Sequence, residues 1–204
     1  MNKKTNINDP INETQSLLVI REMIQISKNK IKQDGILFII WGWMLLVKSF
    51  YGYIERTVEI PFQVNRILKY LGMAMALGCL GFTIFYLLKQ RKKVQTYVGI
   101  SLRYIWISLF VCMVLINLIL FNVLGEIRFE LQQPLFMVLM AFAVTITGGI
   151  LRYRLIIYGG IIFGLLALLA SYMNLSIQLL VESIAWTISF IIPGHILYAK
   201  REKQ

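Results

Sequence analysis

Residues 134–173 read PLFMVLMAFAVTITGGILRYRLIIYGGIIFGLLALLASYM, and the number of membrane crossings turns on how that stretch is divided. Its charged residues are Arg152 and Arg154, on either side of Tyr153. Taken as one helix, about 40 residues at about 1.5 Å each would reach about 60 Å, twice the hydrocarbon thickness of a bilayer. Divided at Arg152-Tyr153-Arg154, it predicts two helices of crossing length joined by a tight turn, with the arginines at a headgroup boundary. Only the divided form fits a membrane.

Four further apolar runs flank this hairpin, so six spans are expected, at 35–54, 69–88, 104–124, 134–151, 155–173 and 177–199. The runs are about twice the length a barrel strand needs and do not alternate, which argues against transmembrane β-strands. Composition agrees. Of 204 residues 58% are hydrophobic and 15% charged, with a mean hydropathy of +0.69. A soluble domain carries about 25% charged residues, and a compact chain of this length could not hide so much apolar side chain from water. An ordinary soluble enzyme and a disordered tail are thereby excluded. The expected fold class is all-α: a six-helix transmembrane domain at 35–199, preceded by a cytoplasmic amphipathic helical segment at 1–34 and followed by a cytoplasmic tail at 200–204.

Charge sets the expected orientation. Sixteen of the 21 lysines and arginines fall before the first span, after the second, in the fourth–fifth turn and at the C-terminus. The alternate loops hold four, Arg56, Arg66, Lys69 and Arg128, matched by Glu55, Glu59, Glu126 and Glu130. Lysine and arginine near spans stay in the cytoplasm, so both termini are expected there, as an even number of spans requires. The net charge of +11 then lies wholly on the inner side. Residues 1–34 hold no apolar core of a cleaved signal and carry Asp9, Glu13, Glu22 and Asp34, so the first span is expected to be its own insertion signal.

Within that segment Asp9-Pro10 is a good helix start, and Leu17, Ile20, Ile24, Ser27 and Ile31 recur at three- and four-residue spacing, with Lys28, Lys30 and Lys32 close to the membrane. The stripe suits a helix lying on anionic inner-leaflet lipid. It also suits a docking helix for a protein partner. The basic run at 89–93 serves as a topology anchor; no recognition helix or stacking platform accompanies it, so nucleic acid is not an expected partner.

Ionisable groups inside a membrane are the default functional candidates. Lys48 and Glu182 fall about 9 Å and about 8 Å below the outer ends of the first and sixth spans, and Asn117 of the third lies near that depth. One reading makes them a polar layer, a Lys48–Glu182 pair with Asn117 beside it. The other has Lys48 snorkelling outward, Glu182 reaching the headgroups and Asn117 bonding a neighbouring helix. Pro193-Gly194-His195 near the inner end of the sixth span is a candidate hinge carrying the single histidine, or else a kinked helix end. Gly160 and Gly164, with Ala141, Thr145 and Gly149, form small-residue faces expected to pack the fourth and fifth spans together, a dimer interface being the alternative. Trp41, Trp43 and Trp106 suit interfacial anchoring, whereas Trp186 lies deeper and is expected in the core.

The inventory for catalysis is poor. One histidine rules out a multi-histidine metal site, Cys79 and Cys112 have no paired spacing, and there is no Gly-x-Ser-x-Gly elbow or phosphate-binding Gly-Lys-Ser/Thr loop. Neither catalysis nor a cofactor is expected.

The run Arg21-Glu22-Met23-Ile24 through Lys28, Lys32 and Asp34-Gly35 into Trp41-Gly42-Trp43, then Thr147-Gly148-Gly149-Ile150-Leu151 and Ile191-Ile192-Pro193-Gly194-His195-Ile196-Leu197, resembles a family of small uncharacterised multi-pass membrane proteins common in Bacteroidetes. The similarity covers most of the chain from about residue 15. It implies a bacterial inner-membrane location and brings no site residue. The function expected is non-enzymatic: an accessory, sensory or regulatory membrane protein acting through its basic cytoplasmic face. The alternative is a small transporter or channel using Lys48, Asn117 and Glu182.

Overall fold

The computed structural model describes residues 35–91 and 97–202. The amphipathic segment 1–34 lies outside them, as do residues 92–96 of the basic loop and 203–204 of the tail. The described chain is helical, with no strand among its residues: α1 Gly35–Thr57, α2 Phe62–Arg91, α3 Tyr97–Leu124, α4 Phe129–Leu151, α5 Arg154–Ala170, α6 Leu175–Trp186, a π-helical turn Thr187–Ile191, and α7 Ile192–Glu202. From α6 to α7 the helix is continuous. Five helices are long and apolar enough to cross a membrane, the last of them Leu175–Ala199. The other apolar helix, α5, has 17 residues, or about 26 Å at helical rise.

The division at Arg152-Tyr153 stands. Arg152 takes a left-handed backbone conformation at φ 51°, its amide bonding Gly149 O at 3.1 Å, while that of Tyr153 bonds Gly148 O at 3.0 Å. These two bonds close α4 and send the chain back antiparallel. Burial pushes the Tyr153 phenol above its ordinary range, so it stays neutral between the two arginines. Here α4 and α5 make the tightest helix pair in the bundle.

Small residues explain the closeness, with one correction to the expected set. A Cβ on Gly160 would lie 2.7 Å from Thr145 N and 3.0 Å from Ala141 O, and one on Gly148 would lie 2.7 Å from Ile157 N. Gly164 meets only Ala141 Cβ, at an ordinary 3.5 Å. Gly149 faces open space and takes no part. The reason is helical phase. At about 100° per residue, Gly148 falls close to the bearing of Ala141 and Thr145, whereas Gly149 has turned past it.

Four helices surround the core: α1, α4, α5 and the α6–α7 rod. Their centre is aromatic. Trp186 is 1% exposed and meets Phe163 and Phe190 edge-on at 5.0 and 4.8 Å; Phe190 in turn touches Phe38 and Trp106. Trp186 is therefore core, as its depth predicts, and Trp106 joins the same cluster. Helices α2 and α3 lie outside, with little of their surface buried. Polar contacts at both ends hold α2 to α1. Trp41 Nε1 donates to Thr83 Oγ1 at 2.9 Å. Toward the other end, Asn65 bonds Tyr51 and Glu55, and Lys69 pairs with Glu55 at 2.6 Å. α2 starts at Phe62, before the expected 69, and its first turn closes with Asn65 N on Pro61 O at 3.0 Å.

Candidate functional site

Polar chemistry gathers near the end of the bundle that carries the α1–α2, α3–α4 and α5–α6 turns. Asn174 caps α6 by accepting from Ile177 N at 3.1 Å. One face of α6 then presents Gln178, Glu182 and Trp186, successive fourth residues that stack along a helix. This face meets the first turns of α4 and the last turns of α1.

Glu182 is the centre. Its Oε2 accepts from Ser49 Oγ of α1 and from Gln133 Nε2 of α4, both at 2.6 Å. Its Oε1 accepts from Trp186 Nε1 at 3.1 Å. An ionised carboxylate only accepts, and all three partners are donors, so the geometry matches an acceptor-only group. The carboxylate thereby joins three helices. Lys48 is exposed and forms no ion pair with it; the ion pairs among the described residues are Lys69–Glu55 and Arg128–Glu126. Asn117 spends its amide on Met113 O of its own helix at 3.1 Å and does not bond Glu182. Of the three residues sharing one depth, Glu182 is the centre, Lys48 lies beside its Ser49 partner in sequence, and Asn117 stands apart.

A second polar contact lies one turn nearer the α5–α6 loop, and its cause is Pro134. The helix α4 begins at Phe129 and not at the proline, which lies inside it. Proline has no N–H, so the carbonyl four residues earlier, that of Glu130, loses its helical donor. Gln178 supplies the replacement: its Nε2 donates to Glu130 O at 3.1 Å and to Met173 O at 2.9 Å. Gln178 is 1% exposed, and its Oε1 has no protein donor.

At the opposite end, Pro193 is accommodated without breaking the rod. The π-helical turn precedes it, and the amide of Ile192 reaches back five residues to Thr187 O. Ser189 Oγ donates to Gly159 O at 2.7 Å, pinning this turn to α5. Gly194 lies against Ile39, where a Cβ would come within 2.8 Å of Cγ1. His195 is exposed, with Nδ1 2.9 Å from Ile191 O. A carbonyl can only accept, so this Nδ1 carries the hydrogen. The three candidate hinge residues thus occupy a packed helix that continues through Glu202.

Sequence reading missed Ser49, Gln133 and Gln178 as partners. The glutamines leave a trace, since amides in apolar segments need partners, and Pro134 marks an orphan carbonyl. Ser49 leaves none, because a serine in a span usually bonds its own helix. Comparison of the chain with family models, curated proteins and solved structures gives no match.

Proposed function

We propose that this chain is a non-enzymatic inner-membrane protein that crosses six times with both termini in the cytoplasm. Its role is accessory, sensory or regulatory, and it acts through its basic cytoplasmic face on anionic lipid or a protein partner. The observation that carries this reading is the engagement of Glu182 by Ser49, Gln133 and Trp186. A carboxylate held by donors from its own helices acts as a clasp between them and not as an open substrate port. The count of six takes α5 as a crossing helix, its shortness accommodated by local thinning of the bilayer. The charge asymmetry and the resemblance to the Bacteroidetes family support the inner-membrane placement.

The test is a pull-down in mild detergent with the full chain and with residues 1–34 removed. Partners that depend on the segment support the docking role; identical partner sets overturn it. Transport is the second reading, favoured by the buried, unpartnered Oε1 of Gln178. A Glu182-dependent ion current across a planar bilayer would select it.

A further inference from the structure

Two features of the α4–α6 seam bear on what Glu182 can bind. The first is the distribution of its bonds. Oε2 accepts from both Ser49 and Gln133, while Oε1 accepts from Trp186 alone. A carboxylate oxygen has room for about two donors, so Oε1 keeps one lone pair that no protein group fills. The second is Gln178, one helical turn nearer the loop on the same face. Its amide hydrogens are committed to Glu130 O and Met173 O, its Oε1 is an acceptor without a protein donor, and the residue is 1% exposed. An acceptor with no protein donor, Gln178 Oε1, and one with room for a second, Glu182 Oε1, stand one turn apart on the same face of α6, an arrangement a bridging water suits. Lone acceptors of this kind call for a donor, and the smallest donor is a proton carried by water.

We propose that Glu182 is a reversible proton-binding site, reached from the α5–α6 loop end of the bundle along the seam that Gln178 lines. Binding places the proton on Oε1, the oxygen that accepts from Trp186 alone. No bond in the Ser49 or Gln133 contacts has to break. The carboxylate becomes a neutral carboxylic acid, and its three hydrogen bonds change from charge-assisted to neutral, about half as strong. The proton therefore weakens the clasp that joins α1, α4 and α6. The charged group on a neighbouring helix whose field reaches Glu182 is Lys48 of α1. Glu130 of α4 meets α6 through its carbonyl at Gln178. The ionisable groups of α5 and α7 whose side chains are described, namely Arg154, Tyr158, His195 and Tyr198, lie toward the other end of the bundle. This assignment goes beyond the accessory reading and does not depend on it.

The experiment is infrared difference spectroscopy on the full chain in lipid nanodiscs, titrated from about pH 4 to about pH 9 to bracket the carboxyl range in proteins. The ten Asp and Glu side chains all contribute near pH 4, so the expected result is one component of the protonated-carboxyl stretch that grows on acidification and is missing in Glu182→Gln. A protonated-carboxyl stretch that titrates with the same amplitude in the parent chain and in E182Q overturns the proposal. Ser49→Ala keeps the carboxyl and removes one donor, so it serves if E182Q does not fold. In S49A the midpoint of the stretch must move; an unmoved midpoint assigns the titration elsewhere and overturns the proposal. The route is read from exchange of the stretch into heavy water. Gln178→Leu combined with Pro134→Ala restores the helical donor to Glu130 O while removing the Gln178 acceptor. Exchange is expected to slow several-fold in that pair, and an unchanged rate overturns the seam as the path.

Discussion

Gly160 and Gly148 show what a single methyl group can decide. At either position the obstacle to a Cβ includes backbone, Thr145 N or Ile157 N at 2.7 Å, which cannot rotate aside as a side chain can. Gly160→Ala and Gly148→Ala are each expected to lower stability by about 1–3 kcal/mol, the usual cost of overpacking. Gly149→Ala meets open space and is expected to stay within about 0.5 kcal/mol of the parent. Reversible unfolding in sodium dodecyl sulfate reads all three, and equal losses at 148 and 149 would contradict the phase argument. Glu182 makes a second residue-scale case. The structure gives it Ser49 as a bonded partner and leaves Lys48 unbonded. In double-mutant cycles Ser49→Ala and Glu182→Ala are expected to couple by about 0.5–3 kcal/mol, as residues in one network do. Lys48→Ala and Glu182→Ala are expected to couple less, and the reverse order would restore the pair read from depth alone. Depth is legible in a sequence because rise per residue is fixed. Bearing around the axis toward a particular neighbour is not, because the neighbour is unknown until the bundle is assembled.

At the scale of the element, both prolines show how a helix absorbs a missing donor. Pro193 is met by a π-helical turn within its own rod, and Pro134 by a side chain from another helix. Gln178→Leu leaves the carbonyls of Glu130 and Met173 without that donor and is expected to cost about 1–3 kcal/mol. Pro134→Ala puts an amide back beneath Glu130 O, so the double variant is expected to recover part of the loss in the same unfolding assay. Absence of any recovery would mean that Gln178 acts through Met173 O or through packing alone. The existence and extent of the helices were largely readable from the apolar runs, since length and hydropathy are properties of one segment. Their ends were less so. α2 begins at Phe62, directly after Pro61, and its added first turns carry Asn65 and Lys69, whose partners on α1 cannot be read from the segment itself.

For the whole molecule, the decisive question is whether α5 crosses. At 17 residues it falls short of the other five apolar helices. Arg154 opens it and Ser171 follows it, both exposed, so cysteines placed there report the two ends. With Cys79 and Cys112 replaced, Ser171→Cys is expected to react with an impermeant maleimide in spheroplasts, and Arg154→Cys only after the membrane is opened. Labelling of both from one side would give five crossings and separate the termini. The exposed flanks of α2 and α3 fit the same picture, because surfaces that would be costly in water are ordinary ones in hydrocarbon.

By itself the sequence determined that this chain is helical, that it is built for a membrane, where it turns at Arg152-Tyr153, and how its charges divide between alternate loops. Those are local or additive properties: hydropathy, helical rise and charge counts need no knowledge of neighbours. Tertiary structure alone decided that Gly148 and not Gly149 carries the close approach, that Asn117 bonds its own helix, and that Glu182 belongs to Ser49, Gln133 and Trp186. Each of these depends on the bearing of one helix against another. That bearing is fixed by packing the bundle as a whole, with backbones drawn together at small residues and every buried polar group competing for the donors within reach.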